Sequence, residues 1–123
     1  MQSPSGIYLR RHAQKKYDAI IKSAGNLFLK QGYTRTSMDA VAKDARVSKQ
    51  TVYSYFTNKD VLFCHMIEAE FARYAPSARI LANPSLSAQE ALFKIGQGFI
   101  EMMSSKRGAS ICRLVLQEAD RHT

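Results

Sequence analysis

Ser37 to Lys59, SMDAVAKDARVSKQTVYSYFTNK, constrains this chain more than any other stretch. Met38, Val41, Ala42 and Ala45 recur at i, i+3, i+4 and i+7, the spacing of one helix face. Ser37 stands before them as an N-cap whose hydroxyl can accept a free backbone N–H. Ser48, preceded by Val47, does the same for a second short helix, in which Val52 and Phe56 lie four apart and face inward. Gln50 and Ser54 then point away from the core, flanked by Thr51 and Tyr53. A helix this short, with so narrow an apolar face, presents its outer side to something else. Two such helices joined by a tight turn have the layout of a helix-turn-helix, whose second helix enters the major groove of DNA.

The signal is more specific than a bare helix-turn-helix. Gly32-Tyr33, Ser37, Val41, Val47, Tyr53-Ser54-Tyr55-Phe56, Asn58-Lys59 and Leu62 stand at fixed spacing. On these positions GYTRTSMDAVAKDARVSKQTVYSYFTNKDVL, with the preceding IIKSAGNLFLKQG, resembles the TetR family of bacterial transcriptional regulators. Two residues depart from the family pattern. Arg46 occupies the turn position where glycine is usual, and a left-handed backbone is expensive for a residue with a Cβ. Gln50 occupies another position where glycine is common, and adds a side chain able to read a base edge.

The resemblance implies a division of labour. Ser37 becomes a phosphate contact as well as a cap, aided by the positive end of its helix. Lys49, Gln50, Thr51 and Tyr53 are candidates for base or base-adjacent contact, with Ser54 on the same face. Gln50 is the leading candidate for direct readout, because one amide can serve adenine N6 and N7 together. Tyr55 and Lys59 are expected as phosphate clamps. Asp39 lies near the same side, where a carboxylate either repels phosphate or accepts from cytosine.

Charge points to the same half of the chain. Of the formal net charge of +8, residues 1–63 supply 11 Lys/Arg against 4 Asp/Glu, and residues 64–123 supply 7 against 6. A polyanionic partner explains such segregation. Residues 1–11 read as a flexible basic arm in which Ser, Pro and Gly break any helical period. Arg10 and Arg11, with Lys15 and Lys16, would touch phosphates or enter a minor groove.

The rest of the reader is helical. Tyr17, Ile20, Ile21, Ala24, Leu27 and Phe28 repeat at helical spacing, with Gly32 as the C-terminal cap and Tyr33 folding back. Thr57 to Asp60 fits a capping box, and Phe56 with Val61 a hydrophobic staple, opening a fourth helix that Pro76 ends or kinks. Residues 76–86 read as a connection. Ser87 and Glu90 then open a fifth helix carrying Leu92, Phe93, Gly96, Phe99, Ile100 and Met103. This stripe reads as core first and as the wall of an apolar pocket second. Lys106-Arg107-Gly108 marks the next break, and Ile111, Leu114 and Val115 begin a sixth helix running into Glu118.

Other chemistries lack their residues. Cys64 and Cys112, with no CxxC, read as small apolar residues in helices, not as ligands or a disulfide pair. His12, His65 and His122 make no site, and neither paired carboxylates nor a nucleophile with its base occur, so no enzyme, cofactor or metal is expected. The first residues lack the apolar run of a secretory signal, and no stretch is long enough to span a bilayer, which implies a cytoplasmic protein. The expectation is an all-α chain: the arm, a three-helix helix-turn-helix domain over 12–59, and a linking helix with part of a helical regulatory domain over 60–123. By resemblance the partners are a palindromic double-stranded operator, a small-molecule effector and a second copy of the chain, and the role is that of a repressor. Family members continue through further helices, so the chain reads as a piece of a longer protein or a short form. Without those helices the fifth and sixth would expose apolar surface. The competing reading is a basic helical protein that coats DNA without sequence preference, or binds anionic membranes.

Overall fold

A computed structural model describes residues 4–74 and 77–121, and places side chains over 10–74 and 79–120. Among the described residues there are only helices: α1 (Pro4–Arg35), α2 (Met38–Ala45), α3 (Lys49–Tyr55), α4 (Lys59–Tyr74), α5 (Ser77–Ala82), α6 (Ala88–Ser104) and α7 (Lys106–Arg121). None is long and apolar enough to cross a membrane. The chain forms two compact units, 1–66 and 67–123, so α4 gives its first half to one and its second half to the other.

The first unit is built on the stripe of α1. Ile20, Ala24 and Phe28 are fully buried, as are Val41, Val52, Phe56, Leu62 and Met66 from the three following helices. Gly32 breaks the helical path with φ 84°, a backbone that a side chain would strain. Tyr33 thereby returns over Phe28, ring centroids 5.7 Å apart and nearly parallel, and Phe63 of α4 meets both rings edge-on at 5.2 Å. The hydroxyl of Thr36, a buried residue, donates 2.8 Å to the Gly32 carbonyl and so ties the break to the start of α2. On the opposite flank Ser23 Oγ donates 2.7 Å to Asp44 Oδ2, fastening α1 to the end of α2.

Caps set the helix ends. Ser37, Ser48 and Ser87 accept from the N–H groups of Ala40, Thr51 and Glu90 at 3.0, 3.0 and 3.1 Å. Arg46 is left-handed (φ 60°, ψ 43°), and its N–H returns to the carbonyls of Ala42 and Lys43. The turn therefore keeps its glycine-like geometry with an arginine in it. The cap of α4 is Asn58, whose Oδ1 accepts from Val61 N at 2.9 Å, and not Thr57. Asparagine caps at least as well as threonine, so the helix starts one residue later than the capping-box reading.

Residues 4–11, read as part of a flexible arm, are the first turns of α1. Pro4 opens the helix, a position where its missing N–H and fixed φ fit. The stretch expected as a plain connection holds α5, and only residues 83–86 turn, with Asn83 Oδ1 accepting from Ser85 N at 2.9 Å. Pro76 lies outside the described residues.

In the second unit the break between α6 and α7 falls at Ser105, ahead of the Lys-Arg-Gly run expected to make it. Ser105 caps one helix and accepts from Gly108 N at 2.9 Å to open the next. Gly108 is obligatory there, since a Cβ would sit 2.0 Å from the Met102 carbonyl oxygen. Ala91, Gly98, Met102, Ile111 and Leu114 are buried. The apolar stripe of α6, read first as core, is open instead: Leu92, Phe93, Phe99 and Ile100 are each more than half exposed. Cys64, read as a small apolar residue of a helix, is also exposed.

Candidate nucleic-acid interface

Helices α2 and α3 form the candidate interface. Val52 and Phe56 fasten α3 to the core from behind, which leaves Lys49, Gln50, Tyr53 and Ser54 exposed and Thr51 half-buried. The side chains divide by what they already hold. Gln50 is exposed and has no hydrogen-bond or ionic partner among the described residues, so both faces of its amide remain available. Tyr53 presents a ring that is 45% exposed. Thr51 Oγ1 shares a 2.7 Å hydrogen bond with Ser48 Oγ, and Ser54 Oγ donates 2.6 Å to the Thr51 carbonyl. Those two hydroxyls serve their own helix.

Asp39 and Lys49 meet across the turn, Oδ1 to Nζ 3.1 Å, with both side chains exposed. The hydrogen bond to Asp39 and its charge hold the Lys49 ammonium above the usual lysine range. Exposed pairs contribute little to stability. This one has a different consequence, because part of the lysine's charge is already met before any phosphate arrives. Sequence reading named both residues without joining them. The available signal was an acid at the outer start of one helix ten positions before a base at the start of the next.

Ser37 is exposed at the N-terminus of α2, and its oxygen accepts from Ala40 N, leaving its proton to donate outward. Lys59 is half-buried. Its Nζ donates 2.8 Å to the Tyr33 carbonyl and lies 4.1 Å from the Tyr33 ring centre, while the Tyr33 hydroxyl donates to Asp60 of the same helix. An ammonium has two further protons for a phosphate.

Tyr55 corrects the expectation of a phosphate clamp. Its hydroxyl donates 3.2 Å to the Ala13 carbonyl of α1, and its ring meets Tyr17 edge-on at 6.3 Å. A phenol has one proton, and this one is used inside the unit. Tyr55 therefore braces the end of the reading helix against the N-terminal part of α1. That same part of α1 carries Arg10, Arg11, Lys15 and Lys16, all exposed. The basic cluster is thus displayed on a helix held beside the reader.

Residues 20–66, the stretch just described, match the family model for bacterial regulatory proteins of the tetR family. Over these residues the chain carries a TetR-family reading domain. Among curated relatives it is 38% identical over 80 residues to the uncharacterized HTH-type transcriptional regulator YhgD of Bacillus subtilis, a match covering 62% of this chain and 42% of that protein. It is 29% identical over 84 residues to the HTH-type transcriptional repressor NicS of Pseudomonas putida, covering 65% of this chain and 40% of that one. Among solved structures the flavonoid-responsive regulator FrrA is 37% identical, with a TM-score of 0.63 over 88% of this chain and 55% of that chain. The chain thus spans about half or less of the length of these relatives. The family match covers the reading unit, where Gln50, the capped starts of α2 and α3 and the left-handed Arg46 turn all lie.

Proposed function

We propose that this chain carries the reading half of a sequence-specific, DNA-binding repressor that a small molecule releases from its operator. The observation that carries the reading is the disposition of α3, whose inward side is sealed by Val52 and Phe56 while Gln50 stands outward with nothing bound to it. An amide so placed can donate to adenine N7 and accept from the N6 amino group in the major groove. Ser37 and Lys59 supply donors on either side for backbone phosphates, with Arg10, Arg11 and the Lys15–Lys16 pair on α1 extending that contact. Lys49 and Tyr53 flank the base edge, and Thr51 and Ser54 shape the backbone of the reading helix.

A second copy would read the second half-site, since a two-fold dimer matches a palindrome. Release would follow from a population shift: a ligand that favours one placement of α4 disfavours the spacing of reading helices that fits successive major grooves. The two halves of α4 are each tied down within their own unit, by Asn58, Lys59 and Leu62 at one end and by Glu70 and Tyr74 at the other. The repressor of the NicS name and the flavonoid response of the FrrA name support this reading by similarity.

The test is selection from a random DNA library at physiological salt. An enriched inverted repeat is the expected result, and a single enriched half-site would mean that the reader works without the dimer. DNA retained with no enrichment would replace this reading by non-specific coating.

A further inference from the structure

The turn between α2 and α3 brings an acid and a base together on the exposed side of the reader. Arg46 N–H returns to the carbonyls of Ala42 and Lys43, and Val47 N donates 3.0 Å to the Ala42 carbonyl. Buried Met38 and Val41 seat α2, buried Val52 seats α3, and the Ser48 cap fixes the first turn of α3. Asp39 and Lys49 are thereby set as the second residue of α2 and the first of α3, with Oδ1 and Nζ 3.1 Å apart.

A lysine is out of place there by itself. The N-terminus of a helix carries partial positive charge, which favours carboxylates and disfavours ammonium groups. Left alone, the flexible Lys49 stem would carry its charge to the nearest phosphate, a contact that holds DNA of any sequence. Asp39 reverses that balance. Its hydrogen bond and its charge, and then Tyr53 one turn further on, favour the ammonium where it stands. As a pair the two side chains have no net charge, so they add nothing to the counterion release that drives binding to any sequence. One of the three ammonium protons goes to the carboxylate, and two remain. Guanine N7 and O6 are neutral acceptors that a lysine in the major groove can serve together. A phosphate in their place would lie beside the Asp39 charge and be repelled by it. Lys49 also stands next to Gln50 at the start of the reading helix, the part that meets base edges.

We propose that Asp39 is a positioning residue for sequence reading: it holds the Lys49 ammonium for a guanine beside the base read by Gln50 and withholds it from backbone phosphate. The inference rests on the sequence-specific reading given above, and it gives a role to an acid that makes no DNA contact of its own. The test measures the affinity of the full chain for three kinds of duplex, each at several salt concentrations. They are the duplex most enriched in the library selection, that duplex changed at single positions, and a random-sequence duplex. Lys49→Met should cut the preference for one guanine by about 5- to 100-fold, the range for one bidentate contact. Asp39→Asn should cut the same preference by about 3-fold or more. It should also raise random-duplex affinity about 3-fold or more and steepen its salt slope by about 0.9 per reading unit, as for one added phosphate contact. In the Lys49→Met background Asp39→Asn should change neither the base preference nor the slope, because its action runs through the lysine. Asp39→Glu, which keeps the carboxylate, should retain the guanine.

Both side chains are more than half exposed, so these substitutions leave the core intact. A guanine preference untouched by Asp39→Asn overturns the proposal, as does a steeper slope that persists in the Lys49→Met background. A cytosine preference that Lys49→Met spares and Asp39→Asn removes overturns it too, and would make Asp39 a base contact. A selection that enriches no duplex overturns the sequence-specific reading and this inference with it. An enriched duplex without a Lys49-dependent guanine overturns the inference alone.

Discussion

Gln50 stands on the reading helix with its amide exposed and uncommitted. Gln50→Ala is expected to relax preference at one base pair per half-site, by about 1–3 kcal/mol of discrimination. Competition binding against operators varied at single positions measures this, and an unchanged profile would remove Gln50 from the readout. Arg46 is a different case, since its strain is local and independent of DNA. A left-handed backbone is unfavourable by about 1–2 kcal/mol for a residue with a Cβ, while glycine adds freedom to the unfolded chain. Arg46→Gly should therefore stabilise the protein by about 0.5–1 kcal/mol in urea denaturation, and a loss of stability would mean that the arginine side chain holds something of its own. Both residues were legible in the sequence as departures from a glycine pattern. The Asp39–Lys49 pair was not, because its partners are joined only by the angle between α2 and α3.

Elements act here through their ends. The brace from Tyr55 to Ala13 links the last residue of α3 to a part of α1 some forty positions earlier. Tyr55→Phe keeps the ring and removes the hydroxyl. It should weaken operator and random DNA alike, about 2- to 10-fold, the scale of one net hydrogen bond. A change confined to one operator position would instead place Tyr55 at a base. In the second unit Glu70 is buried and takes two hydrogen bonds from Arg107, whose guanidinium this partner holds above its usual range. Glu70→Ala should destabilise the chain by about 1.5–3 kcal/mol, as expected for lost hydrogen bonds to a charged group. Denaturation of the variant checks the figure. Neither pair shows in the linear pattern, which locates helices but not the carbonyl or carboxylate that each will meet.

At the scale of the molecule the charge segregation becomes a measurable salt dependence. Each phosphate neutralised contributes about 0.9 to the slope of log K against log salt concentration. Replacing Arg10, Arg11, Lys15 and Lys16 by glutamine should reduce that slope by up to about 3–4 without altering base preference. A slope that stays the same would show α1 to lie off the DNA. Because these residues stand on a helix that Tyr55 braces, the loss should appear equally at specific and non-specific sites. A loose arm entering a minor groove would favour A·T-rich flanks instead.

The periodicity of α1, the serine caps, the short inward pair Val52 and Phe56 and the outward Gln50 were all determined by the sequence alone. Each depends on the reach of a few neighbouring residues along a helix, a distance over which backbone geometry leaves little choice. The spacing also sufficed for the family. What it left open depends on contacts between residues distant in the chain. Residues 4–11 carry no helical period, yet continue α1. Tyr55 looked outward by position, and a carbonyl of α1 takes its proton. The stripe of α6 looked like core, and the tertiary structure leaves much of it uncovered. Apolar periodicity states that a face favours burial; only the placement of other helices decides whether anything covers it.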